Sequence, residues 1–522
     1  MKPQTDSRAR VAAPANRYLA QLRAAPRGPR IAALFDFDGT IIAGYSATGV
    51  LREKFTRGQM SVEEIVGTVA AMAQYWRGRI GFSGLMTAGA KFMKGVRESS
   101  FAQLGEELYL KQIAGRIYPE TRAIIRAHQA RGHTVAIVSS ATLYQIAPAA
   151  RDLEIDRILC SRYEVANGEF TGNIVRPLCF GAGKLTAAES LAAELGLDLD
   201  QSYFYSDSHD DLDLLERVGN PRPLNPSDQL RAIAMQRGWP VEKFSSRAVP
   251  GLLDYARALT PTPTLVAASL AGLPIWALTG STREAANFAF AAFGDYGSAL
   301  VGLDLQVTGE KNLWTTRPCI FLFNHQSRAD VLIMAKLVRR DFSGIAKREM
   351  RDVPVVGKLL ELAGVVFVDR KNAPDAIKAM EPLVAAIRRD RRSVCIAPEG
   401  TRTLTPALGP FKKGAFHLAM QAGVPIVPIV IHNSGDAQPK TEFAMRPATV
   451  RVDVLPPVDT SRWRAATVDR HVRDVRNLFL RQLGQAEPST VKPRTKGSTP
   501  SLRRKVAKPR KSASALRKAR SD

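Results

Sequence analysis

The run Asp36-Phe37-Asp38-Gly39-Thr40 sets two carboxylates one residue apart, directly after the short apolar stretch 31–35. Carboxylates so spaced at the carboxyl end of a strand can share a divalent cation with a phosphate. Three later pieces suit the same chemistry. Ser139 ends the apolar run Val135-Ala136-Ile137-Val138 with a hydroxyl that can donate to phosphate. Lys184, in Gly181-Ala182-Gly183-Lys184, can offset phosphoryl charge, and Ser206-Asp207-Ser208-His209-Asp210-Asp211 adds carboxylates after a third apolar run. Taken alone, an Asp-x-Asp suits any turn; the order of four pieces is what carries weight.

A second set begins at Asn324-His325-Gln326-Ser327-Arg328-Ala329-Asp330, after the apolar run Ile320-Phe321-Leu322-Phe323. If the segment turns into a helix, His325 and Asp330 come close, and a neutral imidazole whose tautomer is fixed by a carboxylate can take a proton from an alcohol. A lone His–Asp pair equally suits a cap or a surface ion pair. Downstream lie a run ending Asp369-Arg370, then Ala397-Pro398-Glu399-Gly400-Thr401-Arg402 and Phe411-Lys412-Lys413-Gly414, each with arginine or lysine to hold an anion.

The first set, with Asn167-Gly168-Glu169-Phe170-Thr171-Gly172, Pro177-Leu178-Cys179 and Gly219-Asn220-Pro221, resembles the haloacid dehalogenase superfamily in its phosphoserine-phosphatase-like subgroup, over about residues 31–227. The resemblance implies that Asp36 is a nucleophile forming an aspartyl-phosphate and that Asp38 is the acid and base. It implies magnesium held by Asp36, the Asp38 carbonyl and Asp207. Ser139 and Lys184 would bind phosphoryl oxygens, Asp211 would orient Lys184, and residues of about 45–130 would form a helical cap. Tyr45 stands where phosphoserine phosphatases carry a glutamate that reads the serine amine, which speaks against phosphoserine as substrate. Asp210 replaces a frequent asparagine, a change expected to alter metal contacts modestly.

The second set resembles the lysophosphatidate acyltransferase family of glycerolipid acyltransferases over about residues 307–431. The resemblance implies that His325 is the general base on the acceptor hydroxyl and that Asp330 orients it. Arg370, Glu399, Gly400 and Arg402 would form the acceptor site, and the acyl donor would be a thioester of coenzyme A or acyl-carrier protein. Lys347 is a weaker candidate for phosphate or thioester binding; a solvated basic face explains it as well.

The elements that must position these groups read as two α/β domains. The first is a Rossmann-like parallel sheet with a helical cap, the second an α/β acyltransferase domain with membrane-docking helices; 522 residues exceed one core. Expected boundaries are a flexible basic arm at 1–30, a phosphatase at 31–250 and a linker at 251–264 around Thr260-Pro261-Thr262-Pro263-Thr264. A helical pair at 265–303, core helices or membrane-lying on its apolar pattern alone and membrane-associating on the acyltransferase resemblance, an acyltransferase at 304–483 and a disordered basic tail at 484–522 follow. The net charge of +25 favours an anionic partner: phosphorylated substrate, acidic membrane or nucleic acid. An aromatic-interleaved basic motif is missing, so nucleic acid is not expected. Four scattered cysteines fit a reducing compartment, and the absence of an apolar leader fits the cytoplasmic face of a membrane, occupied as a monotopic or peripheral protein. The expectation is a bifunctional enzyme that hydrolyses a phosphomonoester and acylates lysophosphatidate; the alternative is an acyltransferase whose phosphatase half has drifted.

Overall fold

The computed structural model describes residues 13–485 except 48, 50–52, 54–61, 78, 245, 248–249, 354–355, 363 and 369–380. The first half is built on a six-stranded sheet of order β4-β3-β2-β1-β5-β6. Its strands are β1 (Ala32–Phe35), β2 (Thr134–Thr142), β3 (Arg157–Ala166), β4 (Glu169–Val175), β5 (Tyr203–Ser206) and β6 (Asn220–Pro223). β1 is fully buried and pairs in parallel with β2 and β5, as a short continuous apolar run should. Its side chains alternate between two cores: Phe35 packs with Ile124 and Tyr205, and Leu34 with Val138, Leu191 and Phe204. β4 returns antiparallel to β3 as an edge hairpin.

Two expected boundaries move. Ala13–Ala24 is a helix rather than a flexible arm, and Tyr18 and Leu22, on one helical face, are buried in the first core. The helical insert holds Val62–Trp76, Phe82–Phe92 and Glu98–Leu108, but Pro119–Ala130 does not belong to a cap. Its Ile124 and Ile125 lie in the sheet's own core, so it is the crossover helix into β2.

The second half is a seven-stranded sheet of order β10-β9-β11-β8-β12-β13-β7. Its strands are β7 (Leu303–Thr308), β8 (Ile320–Phe323), β9 (Phe342–Lys347), β10 (Val366–Val368), β11 (Ser393–Ile396), β12 (Ile426–Ile431) and β13 (Ala448–Val454). β8 sits between β11 and β12, parallel to both, and β13 runs antiparallel to β12.

The region joining the halves is helical where a linker was expected. Leu252–Leu259 is followed at once by Pro261–Ala271, and Pro261 opens that helix at a position where no amide is missed. With Leu273–Thr279 these make a nearly continuous helical run, Leu252–Thr279, long and apolar enough to cross a membrane; 17% of its most apolar stretch is buried. Thr282–Val301, the second helix of the expected pair, packs one face on the protein and exposes Phe288, Tyr296 and Leu300 on the rest. Its Phe293, Gly294 and Gly297 face is buried, and a Cβ on Gly294 would meet the Lys336 amide nitrogen at 2.4 Å. It therefore packs backbone to backbone on Ala329–Val338, the helix that carries Asp330. The tail beyond residue 485 lies outside the described residues.

Candidate active sites

Because β1, β2 and β5 are parallel neighbours, their carboxyl ends deliver Asp36, Ser139 and Asp207 to one edge of the sheet. Lys184 reaches the same edge from the start of the helix Ala182–Leu195. Its ammonium, 3% exposed, lies 2.9 Å from Asp36 Oδ1 and 2.8 Å from Asp211 Oδ2. Ser206 donates to the same Asp211 oxygen at 2.6 Å. Burial pulls the lysine pKa down, but Asp36 and Asp211 outweigh it, so the ammonium is held charged. Asp211 is thus placed to orient Lys184. Ser139 is buried, and its hydroxyl accepts from the Ala141 amide at 3.2 Å.

Asp38 is cradled by Ser46, whose amide donates to Oδ1 at 2.8 Å and whose hydroxyl donates to Oδ2 at 3.1 Å. Gln145, in the capping box that opens the helix Leu143–Asp152, donates in turn to Ser46 Oγ at 3.1 Å. Burial, against the pull of the Ser46 amide, pushes the Asp38 carboxyl up to about 7, a value suited to giving and taking a proton near neutrality. Burial lifts Asp36 to about 6 and Asp207 to about 8, with neighbouring carboxylates adding to both.

Those shifts bear on the expected magnesium. Among the described residues no three His, Cys, Asp or Glu side chains are placed together to hold a metal ion. The expected set, however, is two carboxylates and a main-chain carbonyl. The Asp207 carboxylate accepts a long hydrogen bond from Thr40 Oγ1 at 3.4 Å, and Gly39 at φ +76° presses so close that a Cβ there would sit 2.0 Å from Asp207 Oδ2. Buried, mutually repelling carboxylates against a side-chain-free loop fit a cation. Asp210 points elsewhere: it is exposed and pairs with Ser208. Tyr45 is 65% exposed. Ser46, Gln145 and Asn225, which donates to the Gly39 carbonyl at 3.1 Å, belong to the site yet carry no signal in sequence.

In the second half, Asn324 accepts from the Ile431 amide and donates to its carbonyl, both at 2.7 Å, which locks the turn after β8 to β12. His325 Nδ1 lies 2.7 Å from Asp330 Oδ2, and the Gln326 and Ser327 amides donate to that same oxygen at 2.8 and 2.9 Å. Asp330 is 0% exposed, whereas the His325 side chain is 20% exposed. A carboxylate on Nδ1 selects the Nδ1–H tautomer and leaves Nε2 with a lone pair. Glu399 binds the His325 amide at 2.8 Å and the Gly409 amide at 3.3 Å; burial lifts its carboxyl to about 7 against both bonds.

The cations gather nearby. Arg402 Nη1 is buried and has no hydrogen-bond partner among the described residues. Burial and the neighbouring Arg328 lower its pKa, while Asp330 acts in the opposite sense. Lys440 donates to the Arg402 carbonyl at 2.6 Å. At Gly400, φ +74°, a Cβ would meet Lys412 Nζ at 2.9 Å, so the glycine admits that ammonium to the loop. A buried guanidinium nitrogen without a partner among the described residues, with Arg328 and Lys440 near, suits an anion. Lys440 and Arg328 were not distinguished in sequence. Arg370 lies outside the described residues; Lys347 closes β9, and its side chain is likewise not described.

A sequence profile of the haloacid dehalogenase-like hydrolases matches residues 33–216, and one described as acyltransferase matches 304–432. A hydrolase of Mycobacterium leprae is 33% identical over 242 residues, which are 45% of this chain and 80% of that protein. The 1-acyl-sn-glycerol-3-phosphate acyltransferase of Limnanthes alba is 34% identical over 194 residues, 37% of this chain and 67% of its own. The alpha form of Mus musculus is 40% identical over 182 residues, 35% of this chain and 64% of its own. This chain is an enzyme that belongs to two families, the haloacid dehalogenase-like hydrolases through its first half and the acyltransferases through its second.

Proposed function

We propose that both halves are active, the first hydrolysing a phosphomonoester through an aspartyl-phosphate and the second acylating 1-acyl-sn-glycerol-3-phosphate to phosphatidate. The observation that supports this most directly is that each sheet carries its own set of charged groups at one edge: Asp36–Lys184–Asp211 in one, His325–Asp330 beside Arg402 in the other.

In the first half, Asp36 attacks phosphorus while Asp38 gives its proton to the leaving alcohol oxygen. Asp38 then takes a proton from water, which attacks the aspartyl-phosphate and releases phosphate. Lys184, fixed by Asp211, and Ser139 hold the phosphoryl oxygens. Asp36, Asp207 and the Asp38 carbonyl would hold magnesium, which when bound supplies positive charge against the charge gathering on those oxygens.

In the second half, His325 Nε2 takes the proton of the glycerol hydroxyl as its oxygen attacks the thioester carbonyl. The tetrahedral adduct expels thiolate, which recovers the proton from the imidazolium, leaving an ester and a free thiol. Asp330 steadies the imidazolium. Arg402 and, from the sequence resemblance, Arg370 hold the acceptor phosphate, with Glu399 and Gly400 shaping the loop. The donor is acyl-CoA or acyl-carrier protein. Exposed Leu252, Leu270, Trp276 and Leu278 support docking on a membrane surface, and the net charge of +25 favours an anionic one, at the cytoplasmic face expected from sequence.

A second reading concerns the phosphatase substrate. A cavity of about 520 Å³ between the insert helix Phe82–Phe92 and the loop before Lys184 is lined by Phe82, Pro177, Leu178 and Phe180, with Arg176 as its one charge. Its apolar wall favours a lipid phosphate over an amino-acid phosphate.

Two variants of the full chain test the main proposal. Asp36→Asn is expected to abolish phosphate release and spare acyl transfer, because an amide is a poor nucleophile. His325→Ala is expected to cut acyl transfer by roughly 10²–10⁴-fold and spare phosphate release. Loss of both activities in either variant, or of neither, contradicts the assignment.

A further inference from the structure

Arg247 lies between the two matched domains, and its side chain is 7% exposed. Its guanidinium touches both halves. Nε donates to the Ile117 carbonyl at 3.4 Å; Nη1 donates to the Asp436 carbonyl at 3.1 Å; Nη2 donates to the Gly435 carbonyl and to Asp436 Oδ1, each at 3.3 Å. One aspartate and three carbonyls around a buried arginine make a specific fixture, since a planar fork meets several acceptors only in one orientation.

Each end of this fixture leads to an active site. In the phosphatase half, Ile117 is bridged to Ile42, which is bridged to Asp38. The Tyr118 amide donates to Ile41 at 3.0 Å, and the Ala43 amide to Arg116 at 2.9 Å. In the acyltransferase half, Gly435 and Asp436 begin the segment that ends in Lys440, which is bonded to Arg402. The halves also approach closely here: a Cβ on Gly115 would lie 3.1 Å from Pro439 Cβ and 3.1 Å from Thr441 Oγ1, on either side of Lys440. Arg328, over the Phe443 ring at 5.7 Å, leans on the same segment.

We propose that Arg247 is a positioning residue for acyl transfer: it fastens the segment holding Lys440 and Arg402 to the phosphatase loop that follows Asp38, so that the phosphatase half shapes the acceptor-phosphate site. The inference rests on Arg402 binding the acceptor phosphate. It assigns the first half a part in acyl transfer that does not depend on its own chemistry. Moving Lys440 and Arg402 weakens the hold on the acceptor, while the His325–Asp330 pair keeps its own bonds, to each other and from the Gln326 and Ser327 amides.

The test uses the full chain and varies lysophosphatidate at saturating acyl-CoA, with p-nitrophenyl phosphate hydrolysis and thermal unfolding as checks on the fold. Arg247→Ala is expected to raise the acceptor KM by roughly 5- to 150-fold, the usual range for coupling between sites, with kcat and the donor KM little changed. Arg247→Lys, which keeps the charge but not the fork, should fall between. Asp436→Asn should give a smaller rise of the same sign, and these two variants carry the test if Arg247→Ala does not fold. A folded Arg247→Ala protein with unchanged acceptor KM overturns the proposal, as does a fall in kcat alone or an equal rise in donor KM. Normal acyl transfer by His325→Ala would instead overturn the catalytic reading beneath it.

Discussion

Glu399 shows what one buried carboxylate does in this chain. Its oxygens receive the His325 and Gly409 amides, so it fixes the backbone at the proposed base. Burial nevertheless raises its carboxyl from 4.5 to about 7. The folded chain then keeps a proton between those values that the unfolded chain has released. This contribution to stability is complete below pH 4.5 and is lost as pH rises through about 7. Glu399→Gln cannot titrate, so the difference in unfolding temperature between wild type and variant should shrink from pH 5 to pH 8. Parallel melting curves would refute the account. At this scale the sequence was informative wherever chemistry is packed into a few consecutive residues at a strand end, as at Asp36–Asp38 and His325–Asp330. It was silent where a partner comes from outside such a run: Ser46 on Asp38, Gln145 on Ser46, Lys440 on Arg402. Nothing in the residue types nearby distinguishes such a serine or lysine from a solvated one.

Among the elements, strands were legible because parallel strands buried on both faces read as short apolar runs, and β8 runs over the residues anticipated for it. Helices blurred. The crossover helix Pro119–Ala130 shares its period with the insert helices before it, so periodicity could not show where the insert ends. The N-terminal helix was hidden by a composition of Ala, Pro and Arg, although Tyr18 and Leu22 lie four apart. The run Leu252–Thr279 was divided by its prolines into linker and membrane segment, yet proline at a helix start does not break the helix. Leu252 and Leu278 are 89% and 87% exposed, and Leu270 is 60% exposed. If these leucines enter a bilayer, each loses water contact worth about 1.5–3 kcal/mol. Replacing all three by serine should therefore weaken sedimentation with anionic vesicles by about tenfold or more per residue. Hydrolysis of p-nitrophenyl phosphate should continue, since that site lies in the other half. Equal vesicle binding would mean that this face meets something other than lipid.

For the whole molecule, the question is why a haloacid dehalogenase-like hydrolase shares a chain with an acyltransferase, which on the proposed reading acts on phosphate-monoester lipids. Acylation of lysophosphatidate makes phosphatidate, and both are phosphomonoesters. Two observations favour a substrate other than an amino-acid phosphate: exposed Tyr45 stands where the sequence resemblance puts a glutamate that reads an amine, and the cavity that reaches Gly183 is walled by Phe82, Pro177, Leu178 and Phe180. Two stacked rings, Phe82 on Phe180 at 4.4 Å, offer an acyl chain an apolar contact that a serine moiety could not use. A volume of about 520 Å³ suits a single chain better than two. Lysophosphatidate is therefore the expected substrate, and its hydrolysis would oppose acylation by removing the acceptor. With His325→Ala protein, which silences acyl transfer, phosphate release should rank lysophosphatidate above phosphatidate and both above phosphoserine. Shortening the acyl chain should raise KM in steps, because each buried methylene contributes about 0.8 kcal/mol. Phosphoserine turned over fastest, with no release from either lipid, would return the first half to amino-acid chemistry despite Tyr45 and leave shared membrane location as the reason for the fusion.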